Sequence, residues 1–339
     1  MFVGHAMLGF ALVAGGARLF GRSRERSLTL GVLAGAFATV PDVDMLYALS
    51  GLVGETGGVE GFWSASTLVH RGSTHSLLVG VASALGFALC AAGLTSPRPT
   101  ERFLGSRRAR PAAGLATLLV LVAVAGATSG PLGLAVMGAF VLAGLAVTTA
   151  AVRLTDFGPV AIGSAALVGL LSHPFGDLLT GEPPLFLYPL DVHPVAERVL
   201  LSADPTVHLL GAFGLELATI WLAAAVYCRL TDRSILAHVH WRAALGVAYA
   251  GAVLALPAPT VDSAYRFVFS VLAVGVVGPA PLARQVSRPF RAADRGWPAF
   301  GTVGTGWPAR SEGVLTPLLT GLAAITLAGL SFAVGYALL

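Results

Sequence analysis

Charge is scarce in this sequence. Only 11% of its 339 residues are charged, against roughly a quarter in an ordinary soluble domain. Lysine is absent, and all 21 basic residues are arginine. With 55% hydrophobic residues and a mean hydropathy of +0.80, the chain has too little polar surface to fold as a soluble globule. The net charge of +4 does not indicate a nucleic-acid partner, because the arginines sit in connections between apolar runs instead of forming a basic face. Cysteine is equally sparse. Cys90 and Cys228 both fall near the ends of apolar segments assigned to the cytoplasmic side, which excludes a disulfide framework. No basic stretch precedes the first apolar run. Arg18, Arg22, Arg24 and Arg26 follow it, so the run reads as a retained first helix with its N-terminus outside. No internal repeat divides the chain into two homologous halves, which argues against the commonest transporter architectures.

What is abundant is apolar sequence in lengths suited to a bilayer. A span takes about 20 residues, and apolar runs fall near 3–20, 28–49, 74–95, 112–128, 132–152, 158–180, 206–228, 236–256, 263–282 and 314–338. Arg110 to Arg153 brackets an uncharged stretch long enough for two spans, and Thr128-Ser129-Gly130-Pro131 provides the break between them. The expected fold is all-α, a polytopic transmembrane bundle of about ten helices. Glycine pairs such as Gly31 and Gly35 are read as close-packing positions, not as binding motifs. Arginine counts alternate: four in 18–26, five in 96–111, one in 153–157, three in 229–242 and five in 280–313, with few between. The arginine-rich connections are therefore cytoplasmic.

With that topology, histidine and aspartate gather on one side. His5 lies at the outer end of the first helix, Asp42 and Asp44 at that of the second, His70 and His75 before the third, and His173 and Asp177 at the end of the sixth; Asp191, His193, Asp204 and His208 follow. Ionisable groups are costly near a bilayer and mark a site or a wet cavity. Three segments have metal-site geometry. In Pro41-Asp42-Val43-Asp44 the proline bends or ends the helix so that both carboxylates turn to one ion. In His70-Arg71-Gly72-Ser73-Thr74-His75-Ser76, Ser73 or Thr74 is a candidate N-cap, placing His75 in the first helical turn. His173 and Asp177 are one helical turn apart. The candidate ligands are thus His5, Asp42, Asp44, His70, His75, His173 and Asp177. This mixed imidazole and carboxylate set suits a divalent Zn, Mn, Fe or Mg ion over a thiolate-bound one.

The ordered set His5, Pro41-Asp42-Val43-Asp44, His70-Arg71-Gly72-Ser73-Thr74-His75-Ser76 and His173-Pro174-Phe175-Gly176-Asp177-Leu178-Leu179-Thr180 resembles the YdjM family of membrane-bound metal-dependent hydrolases. Tyr188-Pro189-Leu190 resembles that family's aromatic-proline element. The first motif continues with Met45 where the family commonly has histidine. The resemblance implies a hydrolase-like membrane region over 1–190, with 191–339 contributing further helices to the same bundle.

The expected function is a metal-dependent hydrolase at the extracytoplasmic face of the cytoplasmic (inner) membrane. Asp42, Asp44, His75 and Asp177 are its candidate catalytic groups, and Arg71, Ser73 and Thr74 its substrate-binding groups. Arg71 and a helix N-terminus together favour an anion. A phosphorylated or lipid-linked substrate is expected, with membrane lipids as the surroundings. The apolar, proline-rich segment 181–189 is read as a stiff lid on the lipid. The rival reading is a transporter or channel in which the same residues bind a cation without chemistry.

Single cysteines introduced into a cysteine-free background test the orientation. Positions in 51–69 and 181–205 are expected to react with an impermeant thiol reagent in intact cells. Positions in 96–111 and 280–313 are expected to react only after permeabilisation; the reverse pattern inverts the topology.

Overall fold

A computed structural model describes residues 2–52, 58, 61–62, 64–65, 71–95, 109–277 and 307–339. Those residues are predominantly helical and include no strand. They form two compact units, Met1–Val199 and Leu200–Leu339.

The first unit contains α1 (Phe2–Leu19), α2 (Arg24–Ala38), a 3-10 helix (Pro41–Leu52), a 3-10 turn (Ser73–His75), α3 (Leu77–Leu94), α4 (Ala109–Leu154) and α5 (Pro159–Asp177). Small residues let these helices approach closely. A Cβ added to Gly31 would lie 2.6 Å from the Ala14 methyl, and one on Gly35 2.7 Å from the Ala6 carbonyl oxygen. The pair Gly31 and Gly35 therefore forms the contact face of α2 on α1, as the sequence suggested. Gly169 does the same for α5, its added Cβ falling 2.4 Å from the Ala34 carbonyl oxygen. As a result α5 packs against α1, α2 and α3 together. Its C-terminal turn ends up between the segments that carry the other candidate ligands.

Two breaks shape this unit. Gly130 takes a φ of 66° inside α4, open to glycine and costly for residues with a side chain. Beyond it the chain doubles back: a Cβ on Gly133 would sit 2.5 Å from the Ala125 carbonyl oxygen, whereas eight residues of straight helix would separate them by about 12 Å. The expected hairpin at 128–131 is thus present, and both arms pack on α3 through Gly114 and Gly144. The second break is a bend of 48° between α2 and the 3-10 helix, at the Thr39-Val40-Pro41 step where proline disfavours a helical residue before it. The core of the unit runs through Phe37, Phe87 and Phe140, with ring centroids 5.7 Å and 6.5 Å apart in that order.

In the second unit are α6 (Pro205–Leu230), 3-10 segments at Leu236–His238 and Trp241–Gly251, α7 (Ala252–Ala255), α8 (Tyr265–Val277) and α9 (Trp307–Leu338). The apolar run 236–256 is mostly 3-10 instead of α-helical. Three residues per turn align Ala243, Gly246 and Tyr249 in one stripe, and that stripe meets α9 where Gly246 approaches the Ala324 carbonyl and Tyr249 the Phe332 ring. Among the described residues, five helices are long and apolar enough to cross a membrane, one bent pair adds a further span, and three shorter apolar helices remain. With the two arms of α4 taken separately, each of the ten apolar runs of the sequence carries a helical element among its described residues. The chain is a helical membrane bundle. Cys90 and Cys228 are free thiols.

Gly169→Ala is expected to destabilise the protein by about 1–3 kcal/mol through overpacking, read as a lower unfolding midpoint in detergent. Gly138→Ala, in α4 with nothing within 4 Å of its added Cβ, is expected to be neutral or slightly stabilising. Equal effects of the two would refute the close-packing role of Gly169.

Candidate metal centre

Four segments of the first unit bring their polar side chains to one buried point. α5 contributes His173 and Asp177, one turn apart; the helix continues through Pro174, so both residues stay on one face. The 3-10 helix after the bend carries Asp42 and Asp44, the turn before α3 carries Thr74 and His75, and α1 brings His5. All seven are buried, with His75, His173 and Asp177 at 0% exposure.

The hydrogen-bond network fixes the tautomers of the two central imidazoles. His173 Nδ1 lies 2.6 Å from the Ala38 carbonyl oxygen, which can only accept, so Nδ1 carries the proton. The Thr74 hydroxyl donates to Asp44 Oδ2 at 3.1 Å and so accepts from His75 Nδ1 at 2.9 Å. That nitrogen also lies 3.4 Å from Asp44 Oδ2. In the neutral rings both Nε2 atoms then present lone pairs, and they face each other at 2.9 Å. Asp177 Oδ2 joins them, 3.1 Å from His75 Nε2 and 3.6 Å from His173 Nε2. Electron-pair donors gathered this closely in a buried site call for either a proton shared between the two rings or a metal ion among them.

A metal fits this chemistry. Two groups have donor atoms lying within 4.8 Å of one another: His75, His173 and Asp177, and His5, Asp42 and His173. Ligating imidazoles characteristically give their other ring N–H to a carbonyl or carboxylate; His173 does so with Ala38, and His75 reaches Asp44 through the intervening Thr74 hydroxyl. Both groups need the single lone pair of His173 Nε2, so His173 serves one ion at a time. His5 Nε2 lies 3.2 Å from Asp177 Oδ1, its ring 3.9 Å from that of His173. Gly176 makes room for it, since an added Cβ there would meet the His5 ring at 2.6 Å.

The two aspartates do not turn to one ion as expected. A 3-10 helix sets residues i and i+2 about 120° apart. Asp42 reaches His173 Nε2 at 3.5 Å, while Asp44 goes to the far nitrogen of His75. Asp44 is therefore an orienting residue outside both donor groups. The cap of α3 also differs from expectation. Ser76, not Ser73 or Thr74, accepts from the N–H groups of Leu78 and Val79 at 3.2 and 3.4 Å, which leaves His75 in the turn before the helix. Leu77 N–H goes to the Phe186 carbonyl at 2.8 Å, so the first donors of α3 are committed within the protein. Thr74 faces Asp44 and His75, and the Ser73 carbonyl receives the Ser76 N–H. His70 lies outside the described residues.

Arg71 takes a φ of 71°, a conformation that costs a non-glycine residue roughly 1–2 kcal/mol. Its guanidinium donates to Thr180 Oγ1 at 2.7 Å and lies 3.7 Å from Asp177 Oδ1. It packs on Gly181, where an added Cβ would fall 1.6 Å from Nη1. Segment 181–189 is held down as a strap by hydrogen bonds. Its Phe186 and Tyr188 carbonyls accept from the Ser76 hydroxyl at 3.1 and 2.8 Å, and the Tyr188 hydroxyl bonds Thr128.

Histidines and aspartates further along have local roles. Asp191 and His193 form an exposed pair at 3.7 Å, and His208 Nδ1 accepts from Leu201 N–H at 3.1 Å. Asp204 caps α6, and the N–H groups of Val207 and Thr206 together with the Tyr336 hydroxyl hold its carboxyl below the usual range. Ser76 and Thr180 are the site-supporting residues that sequence reasoning left without a role. A serine directly before an apolar run is itself a cap signal, but nothing local pairs Thr180 with Arg71.

A family model described as YdjM inner membrane protein matches residues 1–256. The chain belongs to the YdjM inner membrane protein family. The match runs past the last motif quoted from the sequence and covers every residue of both donor groups. No curated protein and no solved structure matches the chain. Membership fixes the location as a multi-pass protein of the inner membrane.

In this YdjM-family centre, His173→Ala and Asp177→Ala are expected to abolish bound divalent metal in the purified protein, measured by elemental analysis. Asp44→Asn is expected to weaken metal affinity about 10–100-fold while leaving a detectable site, the loss typical when a ligand's supporting hydrogen bond is removed. Stoichiometric metal in the His173 variant would refute the assignment.

Proposed function

We propose that the protein is a metal-dependent hydrolase that acts at the extracytoplasmic face of the inner membrane on a phosphorylated or lipid-linked substrate. The observation that carries this reading is the convergence of His75 Nε2, His173 Nε2 and Asp177 Oδ2, with both imidazoles oriented from behind. A divalent ion held by those donors, or by His5, Asp42 and His173, supplies Lewis acidity toward a phosphoryl or carbonyl oxygen and makes water more acidic.

The chain's own groups divide the remaining work. Asp44 and Thr74 hold the His75 ring, and the Ala38 carbonyl holds that of His173. His5 and Arg71 share Asp177 Oδ1, which leaves Oδ2 for the donor cluster. The Arg71 guanidinium is the one cationic side chain described at this cluster, and its strained backbone is a cost of the kind kept at working sites. It is the group proposed to hold the substrate's anionic end. The committed N–H groups of α3 remove the helix N-terminus from that role, so anion recognition falls to Arg71. The outward-facing assignment follows from the arginine counts.

The test is turnover by protein in nanodiscs against phospholipids, lipid phosphates, soluble phosphoesters and neutral esters. Phosphorylated compounds are expected to be cleaved and neutral esters not. Arg71→Ala is expected to lower kcat/KM roughly 10–100-fold, matching the 1.5–3 kcal/mol of a charged hydrogen bond. Metal bound without turnover of any class would refute the hydrolase and favour a cation carrier. Neutral esters as the best substrates would refute the role given to Arg71.

A further inference from the structure

An apolar groove of about 460 Å³ runs beside the donor cluster, between the second arm of α4 and the bent end of α2 with its 3-10 continuation. The three-residue period of that 3-10 helix aligns Val43, Leu46 and Leu49 in one stripe, about 12 Å long at roughly 2 Å per residue. All three line the groove, with Ala143 and Val147 of α4 on the other side. Two polar side chains are present. The Thr39 hydroxyl is spent on the Ala36 carbonyl at 2.8 Å, which leaves its methyl to the groove. The other is Asp42, a member of one donor group and the only ionisable residue on the lining among the described residues. Met45, one 3-10 turn beyond Asp42 on the same face, adds an adaptable thioether.

The groove is therefore apolar along its length and meets the metal donors at one end. Its outer wall belongs to the bent span of α2 and the 3-10 helix, and Leu46 and Leu49 are 61% and 54% exposed, so it opens where a bilayer offers hydrocarbon. We propose that it holds the acyl or alkyl chain of a lipid substrate, laid along Val43, Leu46 and Leu49 with the polar end delivered at Asp42. This rests on the hydrolase reading only for what happens to that polar end. The width left by Ala143 then sets which chains enter, and the length of the stripe sets how many methylenes are held.

The probe is a photoactivatable phosphatidic acid carrying a diazirine on its acyl chain, crosslinked to the full protein in nanodiscs and mapped by mass spectrometry. Crosslinks are expected on the Val43–Leu49 segment and near Ala143. Alkyl phosphates from butyl to dodecyl should displace the probe with affinity rising about fourfold per methylene until the stripe is full. Ala143→Phe is expected to end that rise at a shorter chain. The exposed substitution Leu46→Arg provides a second variant that should weaken labelling of the segment, and both variants should retain wild-type metal content. Labelling spread evenly over lipid-facing helices, or unchanged by both variants, would overturn the tail site, as would displacement independent of chain length. Groove labelling that persists in a protein lacking turnover would sink the hydrolase reading and leave the tail site standing. Soluble-phosphoester turnover without groove labelling would do the reverse.

Discussion

Two imidazole Nε2 atoms 2.9 Å apart inside a membrane protein form a contact that holds only with a proton or a metal ion between them. The rest of the first unit makes sense as the means of holding that contact. Each ring is fixed from its other nitrogen, one by a main-chain carbonyl at the end of α2 and one by a threonine-aspartate pair. Neither ring can turn away without stranding a buried polar group, a cost of about 1–3 kcal/mol in each case. The close glycine contacts of α5 on α2 and of α2 on α1 hold these partners in register. Helix packing and the geometry of the His/Asp cluster are thus one constraint.

The 3-10 helix after α2 has a consequence on each of its sides. In an α-helix Asp42 and Asp44 would point nearly oppositely, about 160° apart. At about 120° they address neighbouring histidines, one at its donor nitrogen and the other at its supporting nitrogen. The same period stacks Val43, Leu46 and Leu49 into an apolar stripe. One irregular element therefore places an acidic donor, a supporting acid and a hydrocarbon-lined surface within two turns. This juxtaposition suits a site that handles a polar group attached to an apolar one.

Around Arg71 the backbone amides that usually favour anions have been used for structure. Ser76 caps α3 and fastens the 181–189 strap, and the Phe186 carbonyl takes the first helical N–H. For the anion proposed as substrate, what remains is a guanidinium held by Thr180 and seated on Gly181. A planar guanidinium with directed donors discriminates anion shape better than a helix terminus does.

The sequence by itself determined the class of protein, the ten apolar runs and the break at Gly130-Pro131, because hydropathy and punctuation are local and a bilayer leaves the backbone few alternatives. It also gathered His5, Asp42, Asp44, His70, His75, His173 and Asp177 into one candidate set, since ionisable residues at the ends of apolar runs have few places to go; all of these but His70, which lies outside the described residues, do converge. It did not determine which of them face a metal and which stand behind. Asp42 and Asp44 are separated by a single residue and differ only in the nitrogen each meets, which depends on the 3-10 winding and on α5 arriving from more than a hundred residues away. Ser76 takes the capping role expected of Ser73 or Thr74 for the same reason, because the hydroxyl that caps α3 also bonds the strap at Phe186 and Tyr188. The apolar groove was likewise invisible, for it exists only where the second arm of α4 meets the bend after α2. Local pattern set the inventory of candidate ligands, and long-range packing alone assigned each its partner.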